Sequence, residues 1–547
     1  MKEISPALSA RRQPSGNTKN QLREADTQVG KCGGVAGNIA EEIINRSALD
    51  EVADLATKSA ITFGRDFMKA FIQNSLVAAV LALNGTNLFA QTYNILHNLG
   101  GIYRDGYAPL TDLVLGGNIL YGTTASGGTN YNGTIFKINT DGSGYGIIRS
   151  LTDSGPEGGG MVLIGNTLYG TTYTGGPAAN GTVFKMNTDG SGFIVLHNFS
   201  ATVPSVFGTN SDGNRPQGDL VTDGSTLYGT AEYGGANNNG TIFKINTDGL
   251  GFTVIKTFSA SFLGTNNVSG NISGPSGTNT DGARPIGGLV LNGSTLYGTT
   301  YHGGTSNGVV FAMQTDGSGY TVLKYFPGLY GIGTNSDGAA PVAGLTLNGD
   351  TLYGVTVGGG VAGCGNIFKL KTNGAGFADL HDFLHSDGAF PRNALFLNGS
   401  TLYGTTAAGG LSNYGTIFMI LTNGADFTTL KNFDATIGLQ CDSKFVLSSN
   451  TLYGTAADGG SSDGGVVFGL TVLPQIMSDG NFGIQSNAFG FDITGISNQT
   501  AIIEVSTNLT QAAWLPIQTN ILNGAPEYFS DQRFDQNASG FYRIRSP

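Results

Sequence analysis

Gly287-Gly288-Leu289-Val290-Leu291-Asn292-Gly293-Ser294-Thr295-Leu296-Tyr297-Gly298-Thr299-Thr300 decides how this chain folds. Leu289-Val290-Leu291 reads as a short strand. Asn292-Gly293 follows, and both residues of such a pair tolerate positive φ, which favours a two-residue hairpin. Thr295–Thr300 is the returning strand, built from β-formers. Gly308-Val309-Val310-Phe311 supplies a third strand. After a turn at Thr315-Asp316-Gly317, Tyr320-Thr321-Val322-Leu323-Lys324 supplies a fourth.

The same unit recurs. Leu-Tyr-Gly occurs seven times, with its tyrosine at Tyr121, Tyr169, Tyr228, Tyr297, Tyr353, Tyr403 and Tyr453, at spacings of 48, 59, 69, 56, 50 and 50 residues. Repeated four-stranded antiparallel units of this size predict an all-β, seven-bladed β-propeller. The mid-strand glycine of each copy (Gly122, Gly170, Gly229, Gly298, Gly354, Gly404, Gly454) normally weakens a strand, so its repetition needs a cause. The reading adopted is close approach of the neighbouring blade's backbone, with a β-bulge as the alternative. The last unit has no fourth strand after Val466–Leu470, whereas Tyr93-Asn94-Ile95-Leu96-His97-Asn98-Leu99 matches the fourth-strand pattern Phe193–Phe199. Residues 93–99 are therefore expected to complete the seventh blade and close the ring, which removes an open edge.

The unit Thr-Leu-Tyr-Gly-Thr-Thr, Gly-Gly, Asn-Gly-Thr-Ile-Phe-Lys, Thr-Asp-Gly-Ser-Gly-Phe resembles the GloVer-type tandem repeat of secreted bacterial proteins over roughly residues 93–471. The resemblance implies secretion and a propeller. It implies no activity, because no catalytic residues are established for that family. Members often carry a C-terminal sorting or anchoring segment; here the chain ends Gly540-Phe541-Tyr542-Arg543-Ile544-Arg545, without an apolar span and basic tail. Residues 473–547 show about six short alternating segments, which predict a small C-terminal β-sandwich with Trp514 in its core. This tail resembles small C-terminal β-domains of exported bacterial proteins.

Composition agrees with many strands and tight turns. Gly accounts for 88 of 547 residues, and charged residues for 12%, where about 25% is typical. A 39% hydrophobic content excludes general disorder, and the lack of a three-residue glycine period excludes collagen. The net charge is −11, all of it beyond residue 67, so the body lacks the basic footprint that nucleic-acid binding requires. Three cysteines, Cys32, Cys364 and Cys441, cannot make a disulfide scaffold or a four-cysteine zinc site.

Residues 68–90 follow the plan of a secretory signal peptide: a basic start at Lys69, an apolar run Leu76–Leu83, and a cleavage point after Ala90. The run is too short for a transmembrane span, which takes about 20 residues. Translation is expected to begin at Met68, leaving 1–67 as a non-native or disordered extension. The propeller then occupies 91–472, and the protein is secreted or cell-surface.

Catalytic and cofactor motifs are absent: there is no His-Glu-x-x-His, Gly-x-Ser-x-Gly, phosphate-binding loop or Cys-x-x-Cys. No metal and no cofactor is expected. Each fourth strand carries a basic residue (His97, Arg149, His197, Lys256, Lys324, His381, Lys431), read as a charge that protects an exposed outer edge. Asp105, Asp212, Asp281, Asp337 and Asp387 each precede a proline by four residues and read as rigid turns, with ligand-binding carboxylates as the alternative. First strands are expected to line the channel, which brings Asp112, Asp219 and Lys444 there, with an ion pair between Lys444 and Asp112.

The loops into blades three, four and five are long (Ser200–Ser211, Ser259–Thr280, Pro327–Ser336). They are uncharged and polar, with Phe207, Phe262 and Tyr330 interspersed. Such a crown suits sugar rings. The functional expectation is a non-catalytic module that binds a glycan or cell-surface protein through Phe207, Asp212, Phe262, Asp281, Tyr330 and Asp337. The alternative is a polysaccharide lyase or glycoside hydrolase, for which Asp112, Asp219 and Glu232 are the available carboxylates. A purely structural spacer is a third reading.

Overall fold

The computed structural model describes residues 91–100, 105–152, 159–203, 208–260, 278–305, 307–329, 333–441, 443–477, 481–485, 488–506, 514–531 and 541–547. The extension 1–67, the signal segment 68–90, Phe207, Phe262 and Tyr330 lie outside them. Among the described residues there are 37 strands.

Seven four-stranded antiparallel sheets follow one another along the chain. In the first, the strands are Val114–Gly116, Ile119–Thr124, Thr134–Asn139 and Gly146–Ser150. In the seventh, Val446–Ser448, Thr451–Ala456 and Val466–Thr471 are joined by Thr92–Asn98, which pairs antiparallel with Val466–Thr471. The N-terminal strand of the described chain thus caps the last repeat.

The tripeptide explains how one sheet meets the next. Successive side chains of a strand point to opposite faces, so Leu and Tyr of each Leu-Tyr-Gly look in opposite directions. Tyr121 of unit one packs with Leu168 of unit two, and Tyr169 with Leu227 of unit three. Tyr228 packs with Leu296 of unit four, and Tyr297 with Leu352 of unit five. Tyr403 of unit six packs with Leu452 of unit seven, and Tyr453 with Leu120 of unit one. The core is thereby distributed in layers between neighbouring sheets, and one of these layers sets Tyr453 of unit seven against Leu120 of unit one.

The glycine after the tyrosine has a different cause from the one expected. Gly229 stands directly across from Phe243 in the third strand. A Cβ on Gly229 would lie 2.6 Å from the Phe243 ring and 2.8 Å from Leu220, and at Gly170 a Cβ would lie 2.7 Å from Phe184. The glycine makes room for its own sheet's phenylalanine, which covers the exposed backbone, rather than for a neighbour's backbone. The bulge expected as the alternative lies elsewhere, between the third and fourth strands, as at Ile242/Phe243. Close backbone approach between units is made by other glycines: a Cβ on Gly218 would meet the Gly287 carbonyl oxygen at 2.6 Å.

The fourth-strand basic residues also differ from expectation. They are not solvated edge charges, because each lies on an aromatic ring that opens the fourth strand of the next unit. His97 stacks on Tyr145 at 3.6 Å, His197 on Phe252 at 3.5 Å and His381 on Phe427 at 3.7 Å. Arg149 sits 4.0 Å above Phe193, Lys256 4.3 Å above Tyr320, Lys324 3.9 Å above Phe377, and Lys431 5.3 Å above Tyr93. Stacking and cation–π attraction therefore link each unit to its successor, including six to seven and seven to one.

Beyond residue 472, Gln475–Ile476, Gly483–Gln485, Ala488–Thr494 and Glu527–Asp531 form one sheet, and Thr500–Ser506, Leu515–Ile521 and Phe541–Arg545 another. Phe491, Ile493 and Phe529 of the first meet Ala501, Ile503 and Ile544 of the second in a shared core. Trp514 is not where the sequence suggested. It is half-buried beneath the Arg543 guanidinium, 4.4 Å away, because it precedes an edge strand. The Ser400 and Asn398 region of unit six receives this segment through Ser400 N–H to the Gly524 carbonyl (2.8 Å) and Ser497 N–H to Asn398 (3.0 Å).

Candidate functional site

Two positions of the repeat carry side chains that change from unit to unit while the backbone does not. The first precedes the proline of the Asp-Gly connection: Ala108, Arg215, Arg284, Ala340 and Phe390, all with φ between 54° and 58°. Left-handed backbone costs a non-glycine residue about 1–2 kcal/mol, and here hydrogen bonds on both sides hold it. Arg284 N–H donates to the Asn239 carbonyl of unit three (2.8 Å), and the Arg284 carbonyl accepts from Tyr301 N–H (2.9 Å). The second position follows strand two: Ala125, Tyr173, Glu232, Tyr301, Val357, Ala407 and Ala457.

Small or apolar residues suffice for the framework in most units. Units two to four instead bring together Tyr173, Arg215, Glu232, Tyr233, Arg284 and Tyr301. Glu232 is fully buried and accepts from Arg284 Nε at 3.0 Å, from Arg284 Nη2, and from the Tyr173 hydroxyl at 3.2 Å. Arg215 Nη1 donates to the Tyr173 hydroxyl at 3.4 Å. The Arg215 guanidinium lies 5.1 Å from the Tyr173 ring and 5.6 Å from Tyr233, and that of Arg284 lies 4.9 Å from Tyr233 and 5.2 Å from Tyr301. Rings and guanidiniums alternate along a row that crosses three units. Burial, then the nearby Glu232 carboxylate, pushes the Tyr173 and Tyr233 phenols well above their ordinary value. Burial works against the Arg284 charge, and Glu232 more than offsets it.

Only Glu232 of this row was noted in the sequence, and as a catalytic carboxylate. Its oxygens are committed to Arg284 and Tyr173, so it orders the row rather than serving as an exposed acid or base. The detectable signal was departure from the repeat at two aligned positions, which motif searches do not read.

The carboxylates expected at the crown are turned to other partners. Asp212 accepts from His197 Nε2 at 3.1 Å and from Ser200 N–H at 3.0 Å. Burial alone would raise its pKa, and these hydrogen bonds hold it below the usual carboxylate range. Asp281 pairs with Lys256 at 2.6 Å and Asp337 with Lys324 at 2.5 Å. Asp105 and Asp387 repeat the arrangement with His97 and His381. Turn aspartate and fourth-strand base, read separately in the sequence, form one recurring pair.

Asp112 and Asp219 do lie together, across Gly160. Lys444 N–H donates to Asp112 at 2.6 Å, and Gly160 N–H donates to Asp219 at 2.7 Å, so each carboxylate bridges to the first strand of an adjacent unit. Lys444 thus holds Asp112 through its backbone rather than through the expected ammonium contact. Asp112 is half-buried, and desolvation followed by the Asp219 charge raises its pKa well above the ordinary value. Cys364 and Cys441 are both buried. Among the described residues no group of three or more His, Cys, Asp or Glu could hold a metal ion, and no helix is long and apolar enough to cross a membrane.

The Gloeobacter/Verrucomicrobia repeat model matches residues 85–278 and 307–509. The chain belongs to this repeat family. No curated protein matches it. Solved structures to which it is similar include an oligogalacturonate lyase from Vibrio parahaemolyticus, at 11% identity and TM-score 0.42, covering 70% of this chain and 97% of that one. TolB from Acinetobacter baumannii is similar at 13% identity and TM-score 0.35, covering 57% and 62%. A chain of a nidogen/laminin complex is similar at 16% identity and TM-score 0.31, covering 51% and 80%.

Proposed function

We propose that this repeat protein is an exported, non-catalytic binding module, a closed seven-bladed propeller that recognises a glycan or a cell-surface partner through one face. Closure is supported by the unbroken succession of stacked pairs, in which Lys431 meets Tyr93 and His97 meets Tyr145. Export is supported by the sequence of 68–90 and by the family. Binding is supported by one observation, the alternating Tyr173–Arg215–Tyr233–Arg284–Tyr301 row, in which Tyr173, Tyr233 and Arg284 are buried and hold in place the one ring and one guanidinium that keep partial exposure, Tyr301 and Arg215. Sugars present C–H faces to the first and hydroxyls to the second.

The polysaccharide-cleaving alternative is disfavoured by the carboxylates themselves. Glu232 is locked, and Asp112 and Asp219 sit within hydrogen-bonding reach of each other, whereas glycosidase pairs stand about 5–10 Å apart. Incubation of the full chain with a panel of polysaccharides is the test. Retardation in affinity electrophoresis without new reducing ends or unsaturated product supports a binder. Product formation overturns it in favour of an enzyme, and absence of any retention overturns glycan recognition.

A further inference from the structure

The seventh sheet carries glycine at a seam position where units one, two, three and five carry lysine. The aligned third-strand position reads Lys137, Lys185, Lys244, Ala312, Lys369, Met419 and Gly469. Lys185 donates to the Thr247 carbonyl at 3.2 Å, Lys244 to Thr315 at 3.4 Å and Lys369 to Thr422 at 3.3 Å, each in the following unit. The tip threonine of the following unit is thus held by the ammonium, while the Tyr228 hydroxyl donates to Asp223 at 3.1 Å. Lys137 and Lys244 also stabilise the charge of the neighbouring turn aspartates, Asp189 and Asp316.

At the seam from unit seven to unit one, the tyrosine is kept and the ammonium is not. The Tyr453 hydroxyl donates to the Thr140 carbonyl at 3.2 Å. Where the lysine would stand there is Gly469, and beside it opens a cavity of about 370 Å³ lined by Asn94, Leu96, Thr140, Asp141 and Tyr453. A carbonyl oxygen has two lone pairs, so Thr140 retains acceptor capacity beside the tyrosine. Both bonds that Asp141 accepts from Ser143 fall on Oδ1, and Asp141 lines the cavity.

We propose that this seam is a seat for a primary alkylammonium ligand, which supplies from outside the group that lysine supplies in units two, three and five. The ammonium donates to the Thr140 carbonyl and to Asp141, and its carbon skeleton lies against Leu96 and Tyr453. Two sources carry this chemistry: an amino sugar with a free amine, and a lysine side chain of a partner protein. The site is separate from the row of units two to four, so its test stands apart from glycan recognition there.

Isothermal titration of the full chain at low ionic strength would use D-glucosamine and lysine amide, with N-acetylglucosamine and Nε-acetyl-lysine amide as matched controls. At least one amine is expected to bind while its acetylated control does not, and the binding arm identifies the source. Gly469→Lys should abolish that binding with a modest loss of melting temperature, because its Cβ would stand 3.0 Å from Thr451 and 3.2 Å from Tyr453 and these neighbours must give slightly. Asp141→Asn, an exposed change, should weaken binding about tenfold or more without altering the melt. Equal binding of amine and acetylated control, no binding of either amine, or undiminished binding in Asp141→Asn overturns the proposal. If Gly469→Lys does not fold, Asp141→Asn decides.

Discussion

The imidazole of His197 lies flat on the ring of Phe252 in the next unit, centroids 3.5 Å apart and planes 6° from parallel. Its Nε2 is at the same time 3.1 Å from Asp212. One side chain therefore ties its own sheet to the entry turn of the following unit and to that unit's outer strand. Lys256 and Lys324 do the same with Asp281 and Asp337, so the position selects a nitrogen donor that can lie on the next unit's ring rather than histidine as such.

His197→Lys should accordingly keep most of the stability, whereas His197→Ala should lose about 1–3 kcal/mol, the sum of a ring contact and a hydrogen bond. Urea unfolding of the two variants beside the parent measures this. Equal losses for Lys and Ala would mean that the imidazole geometry, not the shared role, matters.

Gly229 and Phe243 form a cross-strand pair in which the ring occupies the space of a side chain. Gly229→Ala alone should destabilise by about 1–3 kcal/mol, the usual cost of overpacking. The double variant Gly229→Ala with Phe243→Leu should recover part of that loss, giving a favourable coupling in a double-mutant cycle. Additive losses would point to backbone conformation instead of the ring as the reason for glycine.

Tyr93 is the anchor of the N-terminal strand. Its ring stacks on Phe468 at 5.0 Å, its hydroxyl donates to the Ile437 carbonyl at 2.7 Å, and Lys431 lies over it. Tyr93→Ala should cost about 3–5 kcal/mol, as for other large aromatic truncations in a core. Removal of residues 91–99 should depress the melting temperature further, because Val466–Thr471 would then lose its outer partner. An unchanged melt after that deletion would refute closure by this strand.

The framework was more legible in the sequence than the site, for a physical reason. Leu-Tyr-Gly is written seven times because every sheet meets a like neighbour, so geometry repeated in space is repeated in letters. The match between residues 93–99 and Phe193–Phe199 likewise exposed the pairing of Thr92–Asn98 with Val466–Thr471. The reasons behind single residues were less legible. Gly229 was assigned to a neighbour's backbone because a sequence does not reveal that Phe243 stands opposite. His197 and Asp212 were read as two features because they are joined only by a fourth strand and a turn folding back together. The Tyr173–Arg215–Glu232–Arg284 row was missed because its members come from three units and resemble no motif. Its only trace is that alanine-tolerant positions hold arginine, tyrosine and glutamate there.

Asp112 supplies a prediction with a definite sign. Desolvation first and the Asp219 charge second raise its pKa above the ordinary value, so the folded protein holds this proton to a higher pH than the unfolded chain does. Between the ordinary aspartate range near pH 4 and the raised value, the native state binds more protons. The contribution of Asp112 to stability must then fall as pH rises through that window. Asp112→Asn keeps an oxygen to accept from Lys444 N–H and an amide to donate to Asp219, without the charge. The variant should match the parent near pH 4 and exceed it in stability at pH 8, with the difference growing between them. Denaturant midpoints at five pH values measure this. A constant difference, or one that shrinks as pH rises, would mean that Asp112 is ionised in the folded protein and that Lys444 and Gly160, rather than a shared proton, hold the two carboxylates together.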